Sequence, residues 1–277
     1  MQTQRVKIGD IEIACSEAGE GPPLVFVHGF TGHRDDFEPH LDALGRTSHV
    51  FAPDLRGHGD ATHTGRPDTF TFETLVRDLE VLLDVLEIHA CDLLGHSYGG
   101  MVVLRFVLAH PERVRSLILM DTAPFPPDGY THEVFEKAGE IALARGMEFL
   151  QSLVEKAAKA DPSPSPSACH TTKWEPHYTA HQRRRYKAMD PAAYASLGRS
   201  MLDQVHLTSR LGEIGCPTTV LVGGDDTEFL RGADAFEAGI PGVHRVTIPD
   251  AGHHPQMENP GAWLEAIAAH LSRARRC

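Results

Sequence analysis

The chain opens on alternating apolar and polar positions, RVKIGDIEIACSEAG, interrupted at Gly9-Asp10. A period of two with a turn pair at its centre predicts a two-strand hairpin. The next apolar segment, Leu24-Val25-Phe26-Val27, does not alternate. Unbroken runs rich in β-branched residues belong to strands covered on both faces, as in a parallel sheet. Comparable runs stand at Val50-Phe51-Ala52, Cys91-Asp92-Leu93-Leu94, Leu117-Ile118-Leu119-Met120 and Thr219-Val220-Leu221-Val222, with a weaker one from Val243 to Ile248. Between them, apolar residues take helical spacing over Phe72 to Leu86, Met101 to Leu108 and Ala262 to Leu271. Strands alternating with helices predict an α/β domain built on a mostly parallel, doubly wound sheet.

The alternation stops between Pro124 and about His206, where only amphipathic helix and polar loop are legible. Residues 124–206 therefore read as a helical cap or lid inserted after the sixth strand, with 1–123 and 207–277 forming the core. Because the chain re-enters the sheet afterwards, an insertion is favoured over a separate helical domain. Inside it, Pro162-Ser163-Pro164-Ser165-Pro166-Ser167 places proline at every second position, which forbids both helix and ladder.

The strongest chemical signal is Gly95-His96-Ser97-Tyr98-Gly99, followed by Gly100, set between a buried strand and a helix. A serine on so sharp a turn projects its hydroxyl at the top of the sheet, and the flanking glycines let strand and helix approach. A hydroxyl attacks only when a base removes its proton and a third group orients the base. Asp250-Ala251-Gly252-His253-His254-Pro255 follows the last strand, so His253 is the expected base and His254 the alternative. The acid is expected in Val222-Gly223-Gly224-Asp225-Asp226, where only one of the two carboxylates can face the imidazole; Asp121, ending the strand before the insertion, is a third candidate. An oxyanion needs donors: the N–H of Tyr98 at a helix start and the N–H of Phe30 in His28-Gly29-Phe30-Thr31-Gly32. His28, Gly29, His96 and Phe125 are candidates to line a substrate pocket.

Composition narrows the partners. The 277 residues are 41% apolar and 23% charged, values of a globular protein rather than a disordered one. With 26 basic and 38 acidic residues the net charge is −12, which disfavours nucleic acid and anionic membrane as partners. No apolar run approaches the roughly 18 residues of a membrane span, and MQTQRVKIGD lacks the apolar centre of a secretory signal, so a cytoplasmic location is expected. Five scattered cysteines, Cys15, Cys91, Cys169, Cys216 and Cys277, without a CxxC pair, fit a reducing compartment better than a disulfide frame or zinc site. His177 and His181 are four apart but have no carboxylate to complete a metal set, so they read as solvated surface, as does Arg183-Arg184-Arg185. Phe125, Phe135, Met147, Phe149 and Trp174 read mainly as packing within the insertion. No metal and no cofactor is expected.

In these residues the sequence resembles the α/β-hydrolase-fold proteins, and among them the small lid-bearing group of bacterial esterases, perhydrolases, lactonases and C–C bond hydrolases. The likeness rests on Phe26-Val27-His28-Gly29-Phe30, Asp54-Leu55-Arg56-Gly57-His58-Gly59, Gly95-His96-Ser97-Tyr98-Gly99-Gly100, Leu221-Val222-Gly223-Gly224-Asp225-Asp226 and Ala251-Gly252-His253, in the order serine, aspartate, histidine that this fold requires. It spans the chain outside 124–206. The family's spacing after the strand-ending glycine implies Asp226 rather than Asp225 as the acid. One departure is Asp60-Ala61, where the family commonly has a small residue and a serine. A serine at position 97 argues against haloalkane dehalogenases and epoxide hydrolases, which place aspartate there. Met101 stands where a menaquinone-pathway synthase usually has arginine, and His96 where C–C hydrolases commonly have asparagine. The resemblance thus implies hydrolysis of a small carboxylic ester or lactone. A C–C hydrolase, a lyase or synthase, or a ligand-binding module without turnover are the alternatives on the same fold.

Overall fold

The structure, a computed structural model, describes residues 1–160 and 177–276. Eight strands form one sheet: β1 (Gln2–Ile8), β2 (Ile11–Ala18), β3 (Pro23–Val27), β4 (His49–Pro53), β5 (Cys91–His96), β6 (Val114–Met120), β7 (Thr218–Gly223) and β8 (His244–Ile248). Their spatial order is β1-β2-β4-β3-β5-β6-β7-β8. The hairpin of β1 and β2 closes across Gly9-Asp10 with Ile8 opposite Ile11, and β2 runs antiparallel to β4; every other pairing is parallel.

Unbroken apolar runs make sense once the sheet is seen to be covered twice. Leu24, Phe26, Val50, Ala52, Leu94, Ile118, Met120 and Leu221 face one layer, packed with α1 (Glu38–Leu44) and α9 (Pro260–Ala274) through Phe37, Leu41, Trp263 and Ile267. The residues between them, Val25, Val27, Phe51, Leu93, Leu117, Leu119, Val220 and Val222, face α2 (Phe72–Val85), α3 (Tyr98–Ala109) and α8 (Leu230–Gly239). Burying each such side chain contributes about 2 kcal/mol, so both faces resist exposure. The strand patterns predict these elements closely. Two helices escape them: α1 has only seven residues with a proline second, and α8 carries glycines at 232 and 239 that dilute its apolar stripe.

Between β6 and β7 the chain forms α4 (His132–Arg145), α5 (Met147–Ala160), α6 (His177–Lys187) and α7 (Pro191–Asp203). The proline-serine run, Cys169 and Trp174 lie outside the described residues, as does Cys277; Cys15, Cys91 and Cys216 are free thiols. These helices are tied to the core: Met189 pairs with His58 in a single bridge, the Asp190 N–H donates to Gly57 O at 2.8 Å, and the Tyr98 hydroxyl meets that of Ser200 at 2.7 Å. Among the described residues no helix is long and apolar enough to cross a membrane.

The order of strands reverses at β3, since β4 is added on one side of it and β5 on the other. Loops leaving the carboxyl ends of β3 and β5 diverge there, and such a crevice is where open α/β sheets bind ligands.

Candidate active site

Ser97 follows β5 directly and has φ +55° and ψ −121°, a conformation side chains rarely adopt. Two bonds hold it there: its N–H donates to Met120 O at 2.8 Å, and its carbonyl accepts from the Thr122 hydroxyl at 2.7 Å. Helix α3 can start immediately after the serine because Gly99 has no Cβ; a methyl group there would run into the carbonyls of Val27 and His28. The same economy operates at Gly29, where an added Cβ would lie 3.1 Å from the Ser97 Cβ. The loop after β3 therefore rests against the serine.

His253 and Asp226, the expected base and acid, lie on the loops after β8 and β7. Ser97 Oγ stands 2.9 Å from His253 Nε2, and His253 Nδ1 stands 2.8 Å from Asp226 Oδ2. With the carboxylate accepting a hydrogen bond from Nδ1–H, Nε2 presents a lone pair to the serine hydroxyl. The imidazole lies over the Phe229 ring at 4.8 Å, and its backbone carbonyl accepts a bond from His96 Nε2 at 2.7 Å. Burial works against charging His253, but the Asp226 charge and hydrogen bond outweigh it and hold the imidazole above its ordinary value. Asp226 is buried, which opposes its ionisation, yet His253 draws it below the usual carboxylate range. Asp225 is half-buried, and its N–H donates to Ala251 O at 2.9 Å, joining the two loops.

The loop carrying Phe30 is fixed by histidines. His28 is fully buried; its Nδ1 donates to Gly29 O at 2.9 Å and its Nε2 accepts from the Leu55 N–H at 2.9 Å. Both nitrogens being spent on backbone, it shapes the loop rather than facing a ligand. The Gly29 carbonyl that His28 holds belongs to the peptide whose N–H is that of Phe30, the expected oxyanion donor, and His58 Nε2 donates to Phe30 O at 2.6 Å, fixing the next peptide. The N–H of Tyr98 opens α3, where the first amides have no partner within the helix. His96 is buried, its Nδ1 without a hydrogen-bond partner among the described residues, and burial pushes its pKa down to about 3. Phe125 is packed beneath the Arg231 guanidinium at 4.4 Å. The Phe30 ring lies 5.0 Å from that of Tyr194 on α7 and 5.5 Å from that of Phe135 on α4; Phe135 reads from the sequence mainly as packing, and the sequence reading does not single out Tyr194.

Three expectations change. His254, the alternative base, has both nitrogens engaged elsewhere: Nε2 accepts from Arg185 at 2.9 Å and Nδ1 lies 3.3 Å from the Tyr178 hydroxyl. His181 is not solvated but buried, its Nε2 donating to Asp36 Oδ1 at 2.7 Å; the side chain of His177 is outside the described part. Arg183 and Arg184 do lie on an exposed face, but Arg185 is buried, with Nε 3.4 Å from Asp36 Oδ1 and bonded to Thr31 O. Neither Asp36 nor Arg185 was legible as a partner of the other, because 149 positions separate them and a hydrophilic helix gives no sign of an inward face. Asp121 also lies beside the acid: one oxygen from each of Asp121 and Asp226 and a nitrogen of His253 fall within 4.8 Å of one another.

A strained serine at a strand–helix turn, with histidine and aspartate brought in by later loops of a doubly wound sheet, defines a class of protein. The α/β-hydrolase-fold family matches residues 22–260, and the chain belongs to that family. A thermophilic esterase from Thermogutta terrifontis superposes with a TM-score of 0.84 at 28% identity, covering 99% of both chains. The enol-lactonase from Burkholderia xenovorans LB400 superposes with a TM-score of 0.83 at 23% identity, over 97% of this chain and 100% of that one, a likeness of fold. By sequence, a putative 2-succinyl-6-hydroxy-2,4-cyclohexadiene-1-carboxylate synthase of Bacillus subtilis (strain 168) is 25% identical over 280 residues, 98% of this chain and 99% of its own length.

Proposed function

We propose that the protein hydrolyses a small carboxylic ester or lactone through an acyl-enzyme formed on Ser97. The observation that carries this reading is the unbroken relay from Ser97 Oγ through His253 to Asp226, with contacts of 2.9 and 2.8 Å. In acylation, Oγ bonds to the substrate carbonyl carbon while its proton passes to His253 Nε2. The C–O bond to the leaving alkoxide then breaks and takes that proton. Water repeats the sequence in deacylation, releasing the acid and restoring the serine. The amides of Phe30 and Tyr98 would hold the developing oxyanion, and the helices of 124–206, read as a lid, would close over the acyl group with the wall of Phe30, Phe135 and Tyr194.

A lyase or synthase is the second reading, favoured by the full-length relative from Bacillus subtilis. Under it the Ser97–His253 pair would remove a proton and no acyl-serine would form. The test is turnover of a short-chain p-nitrophenyl ester and of a small lactone, with mass spectrometry of the quenched enzyme. Hydrolysis with an acyl adduct on Ser97, lost in Ser97→Ala by on the order of a millionfold in kcat, is expected. Ester hydrolysis undiminished in Ser97→Ala, or turnover with no adduct under acyl-trapping conditions, would overturn it.

A further inference from the structure

We propose that Asp121 is a positioning residue of this site, carrying a proton that it donates in a hydrogen bond to Asp226. The inference rests on reading Ser97, His253 and Asp226 as the reacting relay. Asp121 directly follows β6 with φ +45°, in the left-handed region that non-glycine residues seldom occupy without a structural cause. Its N–H donates to Leu221 O at 2.9 Å, and its Oδ1 accepts from the Gly223 N–H at 2.8 Å, so the side chain is aimed at the turn that bears the acid. Asp121 and Asp226 are each 1% exposed. Asp121 Oδ2 and Asp226 Oδ1 are buried, and neither is reached by an N–H or O–H of the described residues. Each carboxyl group therefore has one oxygen satisfied and one bare, beside each other.

Two carboxylates this close and this dry cannot both be ionised. A cation between them would relieve the repulsion, but the third group in reach, His253, already directs its Nδ1–H at Asp226 and has no lone pair to give there. One proton suffices. It belongs on Asp121, whose charged neighbours, Asp226 and Glu258, are both acidic, whereas Asp226 faces the imidazole. Burial first, and the Asp226 charge second, push the Asp121 carboxyl well above the ordinary range, the opposite direction from Asp226. The donated bond would hold the Asp226 carboxylate in the plane that the imidazole needs, and would leave the pair with a single negative charge to stabilise imidazolium.

Asparagine is the isostere of a protonated aspartic acid, and this decides the experiment. In Asp121→Asn the carbonyl still accepts from Gly223 and the amide donates to Asp226. Ester kcat/KM is expected within about threefold of the parent, with the acid limb of its pH profile displaced by no more than about 0.3 unit. The groups facing His253 (Asp226, Glu228, Arg185, His96 and His254) and those facing Asp121 (Asp226 and Glu258) are all unchanged in this variant. Asp121→Leu, which can neither accept nor donate, is expected to lose on the order of 10- to 100-fold in kcat with KM little changed. Independently of turnover, the infrared spectrum at pH 7 should contain the carbonyl band of a protonated, buried carboxylic acid that Asp121→Asn removes. A downward move of the acid limb by a unit or more in Asp121→Asn would mean that a charge had been deleted, and would overturn the proposal. So would absence of the infrared band. If the wild-type enzyme showed no Ser97-dependent ester turnover, the proposed function would fall while the infrared result still reported on Asp121.

Discussion

At the scale of the residue, His253 is a contest between two terms. Removing imidazolium from water lowers its pKa, and a buried carboxylate 2.8 Å from Nδ1 raises it; the second wins. In the proposed reaction the neutral imidazole is the working form, so kcat/KM should climb with pH through an apparent pKa above the ordinary value of about 6.5, and activity should begin to fail on the acid side sooner than for an isolated histidine. Asp226→Asn removes the charge that raises it: the limb should move to lower pH while kcat falls on the order of ten-thousandfold. Asp225→Asn should cost about tenfold or less, by disturbing its turn. Reversed effects of the two substitutions would reassign the acid. The sequence made Ser97 and His253 legible because motif and position coincide; it left the adjacent aspartates open because a one-residue rotation of a turn is a matter of backbone direction.

The element that most exceeds its sequence is α6. His181 and Arg185 stand one turn apart on the same helix face, and both meet Asp36, which is 1% exposed. Beside Tyr178, which is buried one turn earlier, this ionic contact helps to anchor the helix near the loop of Phe30. A buried ion pair is a weak source of stability, but breaking one side of it strands the other charge. Asp36→Ala should destabilise the protein by about 3–5 kcal/mol in urea titration, with faster amide exchange along 177–187. Arg185→Met should also destabilise the protein, because it leaves the buried Asp36 carboxylate with His181 but without its guanidinium partner. A stability change within about 0.5 kcal/mol for Asp36→Ala would show that α6 is held by something else. Helical periodicity identifies helices that bury an apolar stripe, which α2 does; it does not describe a helix docked through charge.

For the whole molecule, burying several neutral histidines has a consequence. Burial is the first cause that holds His28 and His254 well below their ordinary value, lowers His96 to about 3 and His270 to about 4, and lowers His58. In the unfolded chain these groups take up protons below about pH 6.5, whereas in the folded protein they do not, so stability falls as pH falls. Each contributes about 1.4 kcal/mol per pH unit while it remains neutral in the fold. His253 has the opposite sign: its raised pKa supplies stability that is present below about pH 6.5 and lost as pH rises through its folded value. With His40 also lowered by burial, one group against six leaves a net loss. The urea midpoint should therefore decline steadily from pH 7 to pH 5; a midpoint unchanged across that interval would mean that these imidazoles charge without unfolding the protein.

The sequence by itself determined the layers. Runs such as Leu24 to Val27 and Leu117 to Met120 have no polar face and are bounded by turn residues, which points to strands covered on both sides, as they are in the sheet. It also marked the turn that carries Ser97, because the glycines of 95–100 are required by local sterics. Tertiary structure alone decided what each polar group meets. Whether His254 is a base or a bonding partner of Arg185, whether Arg185 is solvated or buried, and whether Asp121 is bystander or neighbour of Asp226 depend on loops that converge from separate strand ends. Apolar burial is a property of a residue and its periodicity; a hydrogen bond or an ion pair belongs to two residues, and the second lies far away in the chain.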